Sequence, residues 1–308
     1  MPKWIPERPA YKKEHRTVGF MLLAVFLLLL AARMLTHLFS FGDIPWLMAP
    51  VAALIAFLPP IAGYLFYRGR GYTKALRLQA PRHVHLPLMI FAFIALLFGS
   101  FLLSALTGGL DTLGNSVVAF SQSTPETVWE FLLSIVTIGV LPALLEAFCF
   151  FGVATLEYER RGAVRAILLC TVLFSLIHFD AANLPAYLFA GVLYILVLYA
   201  TGSLIAVGIL HALYVICGLA LHRYLVALYH FTGTVQLFLF FFILFALGAL
   251  ILFCRSAARI YRQRDEKGLR DPRRDVPYEV QFYTVLDAAC DPAVILCLGV
   301  SIAGFILL

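Results

Sequence analysis

Apolar runs of about 20 residues recur along the whole chain, and its charges are concentrated in the short stretches between them. Each run is long enough to cross the ~30 Å hydrocarbon core of a bilayer as a helix. In lipid every backbone N–H and C=O must be satisfied within the protein, so a chain of such runs folds as packed helices. Composition agrees: 62% of the 308 residues are hydrophobic and only 13% are charged, whereas a soluble domain has roughly half and a quarter. The expectation is an all-α, polytopic transmembrane bundle of eight or nine spans. The runs lie at about 17–39, 44–67, 86–107, 128–156, 163–179, 185–201, 203–225 and 235–254. A shorter one, 293–308, reads as a ninth span or a re-entrant tail. The first run is too long for a signal-peptide core and reads as a retained helix.

The net charge of +6 would suit nucleic acid if the cations formed one surface. They cluster between apolar runs instead, which points to membrane topology, with a lipid bilayer as partner and no nucleic acid. Lys3, Arg8, Lys12, Lys13 and Arg16 precede the first run, and the positive-inside rule places them in the cytoplasm. Alternation of spans then puts three more basic segments on that side: 68–85, 157–165 and 255–274. The polar 108–127 stretch, with Asp111, Asn115 and several glycines, becomes the largest outward loop. The six cysteines lie in or at the ends of apolar runs without a CxxC pair, so neither a disulfide framework nor a zinc knuckle is indicated. Three regions are expected: N-terminal helices and outer loop (1–127), a core (128–225), and a C-terminal helix with a basic segment and a possible last span (226–308).

Glu146 stands alone among apolar residues in the fourth run, and His178 and His211 lie deep in later ones. An ionisable group at the bilayer centre costs roughly 2.5–3.5 kcal/mol even on the mildest scale, so such groups face the protein interior and serve a purpose. At a rise of about 1.5 Å per residue, Glu146 sits about 21 Å in from Arg160, His178 about 20 Å in from Arg165, and His211 about 12 Å in from Ser203. With ordinary helix tilts these depths are compatible with one shared site. A histidine can orient a carboxyl or share its proton, and the two together can deprotonate a water that attacks a peptide carbonyl. A second histidine can hold the resulting oxyanion. The same Glu/His/His set could instead ligate a divalent metal such as zinc; spacing does not choose between these, because the three lie on separate helices.

The local motifs resemble those of the CPBP intramembrane proteases, the family of type II CAAX prenyl endopeptidases and bacteriocin self-immunity proteins. Pro142-Ala-Leu-Leu-Glu146-Ala-Phe-Cys-Phe-Phe-Gly152 is similar to the first motif, Glu-Glu-x-x-x-Arg-Gly. Phe174-Ser-Leu-Ile-His178 fits the second, Phe-x-x-x-His. The stretch from Thr201 to His211 resembles the approach to the third, His-x-x-x-Asn, and Gly191 falls where the intervening helix usually has a glycine. The resemblance covers about residues 128–220. It implies an intramembrane endopeptidase acting on a membrane-associated or lipid-modified protein, set in a bacterial inner membrane. Glu146 would then be the general base, His178 its orienting partner and His211 the oxyanion stabiliser.

Three positions depart from the motifs: Ala147 replaces the second Glu, Phe151 the Arg and Val215 the Asn. Losing one oxyanion donor lowers rates roughly 100- to 1000-fold. Losing a buried Glu–Arg pair together is gentler, because no charge is orphaned. The departures leave an alternative, a catalytically inactive scaffold or immunity factor. A proton-coupled transporter would also use buried Glu and His, but no inverted repeat or pair of broken helices is found. Asn183 and Tyr214 are further candidates for hydrogen bonds to the site.

Overall fold

The computed structural model describes residues 8–38, 45–69, 71–108, 127–232, 235–268 and 278–307. Among them lie ten helices and no strand: α1 (Arg8–Leu38), α2 (Pro45–Arg68), α3 (Leu86–Gly108), α4 (Val128–Tyr158), α5 (Ala163–Leu176), α6 (Leu184–Thr201), α7 (Leu204–Thr232), α8 (Val235–Glu266), α9 (Tyr278–Ala289) and α10 (Pro292–Leu307). Most of the 108–127 loop falls outside the described residues, and the 255–274 segment is described only as far as 268.

Six of the described helices are long and apolar enough to cross a bilayer, or seven if the bent pair α9–α10 is one span. The expectation of eight or nine stands slightly above that. The run at 163–179 falls short of an expected span: its helix ends at Leu176 after 14 residues, about 21 Å against the ~30 Å required. Nothing in the hydropathy marks that end. The last run takes its place in a helix bent by 60° from α9.

Basic residues of the 68–85, 157–165 and 255–268 segments meet at one end of the bundle. Arg68 pairs with buried Glu157 at 2.8 Å, and Arg77 with buried Glu159 at 2.5 Å. The Gln79 side chain donates to the Gly202 carbonyl, Leu204 N–H to the Arg77 carbonyl, and Arg264 to the Tyr199 carbonyl. These bonds sew the loop after α2 to the ends of α4 and α6 and the start of α7, and they tie α8 to α6. Gly202 ends α6 at φ 67°, the left-handed cap that glycine adopts without strain.

Transmembrane helices associate through close packing of small residues, since lipid offers no hydrophobic drive between them. Gly191 of α6 shows why. A Cβ there would lie 3.1 Å from Thr171 Cγ2, 3.2 Å from the Thr171 Cα and 3.2 Å from the Phe174 ring. A backbone atom cannot give way as a side chain can. Gly191→Val is therefore expected to destabilise the bundle by about 1–3 kcal/mol, read as an earlier transition on titrating the micellar protein with denaturing detergent. A wild-type midpoint would mean that α5 and α6 separate freely. The Phe-rich stretch of α8 divides by face: Phe238 and Phe242 are buried against α3, while Phe240 and Phe241 are exposed.

Candidate active site

α4 is not a uniform α-helix. Pro142 cannot donate to the carbonyl one turn back, and its ring crowds that carbonyl. The helix widens into a π-helical stretch at Ile135–Val140 just before it, and into another at Ala147–Ala154. Glu146 is the last α-helical residue between them. Such widened turns recur at functional sites because they re-aim side chains without ending the helix.

His178 lies just beyond the end of α5. Its Nδ1 sits 3.0 Å from the Phe174 carbonyl, and a carbonyl only accepts, so in the neutral ring Nδ1 carries the hydrogen and Nε2 a lone pair. The Phe-x-x-x-His spacing produces this contact, since residues four apart stack on one helix face. Tyr187 holds the ring from the other side, stacked at 3.9 Å between centroids and 21°. The next residue, Phe179, has φ 48°, a costly conformation for a bulky side chain. Packing enforces it: the Phe179 ring meets Phe26 edge-on at 6.4 Å and lies against Gly304, where a Cβ would collide with it.

The three residues meet. Glu146 Oε2 lies 3.5 Å from His211 Nε2 and 3.9 Å from His178 Nε2, well inside the separation that a shared site demands. His211 is buried between the Phe174 ring (5.5 Å, 79°) and the Tyr194 ring (4.9 Å, 35°). Phe174 also meets His178 edge-on at 5.1 Å, so one ring spaces both imidazoles. They border a cavity of about 120 Å³, room for a few waters. Its walls are largely apolar, from Leu29, Ala52, Phe57 and Ile138.

The arrangement has a definite polarity. When Glu146 is ionised, its oxygen and His178 Nε2 are both acceptors, and two facing acceptors are satisfied by a donor such as the hydrogens of a water. His211 Nε2 can donate toward the same carboxylate. Among the described residues, no group of three or more His, Cys, Asp and Glu side chains has a geometry suited to holding a metal ion.

The substituted motif positions are filled without orphaned charge. Ala147 and Phe151 are buried, and the Phe151 ring packs on Phe174 at 5.2 Å and Tyr194 at 5.5 Å. Val215 lines the cavity and offers no hydrogen bond. Tyr214 lines it too. Asn183 does not: its side chain donates to Asp180 at 2.8 Å, ordering the turn before α6. Three polar lining residues escaped the sequence reading, Arg33, Tyr187 and Tyr194. Arg33 carried a signal, being a cation inside the first apolar run. The tyrosines carried none, because their rings are ordinary components of apolar helices.

Residues 128–217 match the model of a family described as type II CAAX prenyl endopeptidase, Rce1-like. No curated protein and no solved structure matches the chain.

Proposed function

We propose that this chain, which over residues 128–217 belongs to the Rce1-like type II CAAX prenyl endopeptidases, hydrolyses a peptide bond through a water activated by Glu146 and His178. The match over residues 128–217 supports an integral membrane endopeptidase of CAAX type in general. The observation that supports it is the approach of Glu146 Oε2 to both His178 Nε2 and His211 Nε2 at a water-sized cavity.

In this mechanism a water sits at about 2.8 Å from the Glu146 carboxylate and from His178 Nε2. Glu146 takes one proton, and the hydroxide adds to the scissile carbonyl carbon. His211 donates from Nε2 to the oxyanion that forms. As the tetrahedral centre collapses, the C–N bond breaks and the proton held by Glu146 passes to the leaving amine. The apolar walls strengthen each charged contact by keeping bulk water out. The substrate is a membrane-associated or lipid-modified protein, reached with the N-terminus and basic loops facing the cytoplasm of a bacterial plasma membrane.

The test is a peptide with a prenylated cysteine near its C-terminus and a fluorophore–quencher pair across the expected cleavage site, presented to the purified chain in liposomes. Time-dependent release of fluorescence is expected; none over hours, at enzyme in excess of peptide, would contradict the reading. A second reading, a non-hydrolytic membrane scaffold or immunity factor, is favoured by Ala147, Phe151 and Val215. It predicts a cellular phenotype that survives Glu146→Gln.

A further inference from the structure

Arg33 brings a cation from α1, outside the matched segment, to the wall of the Glu146 cavity. It does so on three counts. Its guanidinium donates to the His178 carbonyl at 2.6 Å. It lies over the Phe179 ring at 5.6 Å. It is also within Coulombic range of Glu146. The turn that it grips is the strained one, with Phe179 at φ 48°. The amide bonds inside that turn are long, His178 N–H to Ser175 O at 3.4 Å and Phe179 N–H to Leu176 O at 3.3 Å. A turn with weak internal bonds and an unfavourable φ needs external restraint, and Arg33 supplies a charge-assisted part of it.

Resting on the hydrolytic reading above, we propose that Arg33 is a positioning residue of this site, which pins the His178 turn and holds a cation from α1 at the wall of the Glu146 cavity. A planar guanidinium suits both tasks. One N–H serves the carbonyl while the delocalised charge faces the aromatic ring and the cavity. Without it, the backbone that carries His178 would lose one of its restraints, with the ring left to Phe174 and Tyr187, and the negative charge developing at the oxyanion would lose a nearby cation.

The test compares Arg33→Met, Arg33→Lys and Arg33→Ala with wild type and Glu146→Gln, as full-length protein in liposomes with the prenylated fluorogenic peptide. Arg33→Met is expected to lower kcat about 100-fold with KM within about threefold of wild type, the pattern of a lost transition-state interaction. Arg33→Lys should recover most of that loss, and added guanidinium should raise the rate of Arg33→Ala. A second readout does not depend on turnover: hydrogen exchange in the peptide spanning 176–183 should be about tenfold faster in Arg33→Met. Wild-type kcat in Arg33→Met, beside an inactive Glu146→Gln, would overturn this assignment and leave the hydrolytic reading standing. If wild type itself leaves the peptide intact, that reading falls for this substrate and exchange alone judges Arg33. Faster exchange then supports its hold on the turn, and unchanged exchange overturns it.

Discussion

Glu146→Gln is expected to lower turnover by roughly 100- to 10,000-fold, the range for loss of a general base, while the protein stays folded and inserted. The substitution keeps the shape of the side chain and its place between the two π-helical stretches of α4, while it removes the negative charge and the ability to take up a proton and puts an N–H donor in place of one oxygen. That separates two roles with opposite outcomes. A carboxyl that merely bonds a neighbouring helix is well served by an amide, so near-normal processing in Glu146→Gln would refute the base. Melting in detergent beside the kinetics keeps misfolding from being mistaken for lost chemistry.

The second large effect is expected at His178. Asn at this position keeps a donor for the Phe174 carbonyl, which the ring bonds through Nδ1 at 3.0 Å, and it discards the Nε2 that faces Glu146 at 3.9 Å. His178→Asn should therefore lose about 100- to 10,000-fold in kcat at little cost in stability. Because Glu146 and His178 act on one water, the double variant should lose no more than about tenfold beyond either single change, the non-additivity of groups that work as a unit. Fully multiplicative losses would mean independent roles. Activity within twofold of wild type in His178→Asn would leave His178 as a packing partner of Tyr187.

How far the sequence could be read follows from which contacts are local. The bundle was legible because hydropathy and the alternation of basic loops are properties of the chain itself. Glu146 stood out on the energy of burying a carboxyl. The contact between His178 and Phe174 follows from a spacing of four residues, so the motif carried it. The convergence of Glu146 with both histidines followed only as a compatibility of depths, and the packing of α4, α5 and α7 brought it to 3.5 and 3.9 Å. Span counting overshot where an apolar run continues past the end of its helix, at Leu176. Arg33 was missed because its place depends on how α1 docks on a turn 145 positions away in sequence. The same holds for Glu157 and Glu159, which pair with Arg68 at the end of α2 and with Arg77 in the loop after it.

The central claim is that a water activated between Glu146 and His178 becomes part of the product. Its most direct measurement is cleavage of the prenylated peptide by the reconstituted protein in oxygen-18 water, followed by mass spectrometry. The account predicts that wild type releases the C-terminal fragment and that the new carboxyl on the prenylated fragment carries one heavy oxygen, while Glu146→Gln leaves the peptide whole. Intact peptide with wild type, or equal cleavage by wild type and Glu146→Gln, would contradict it.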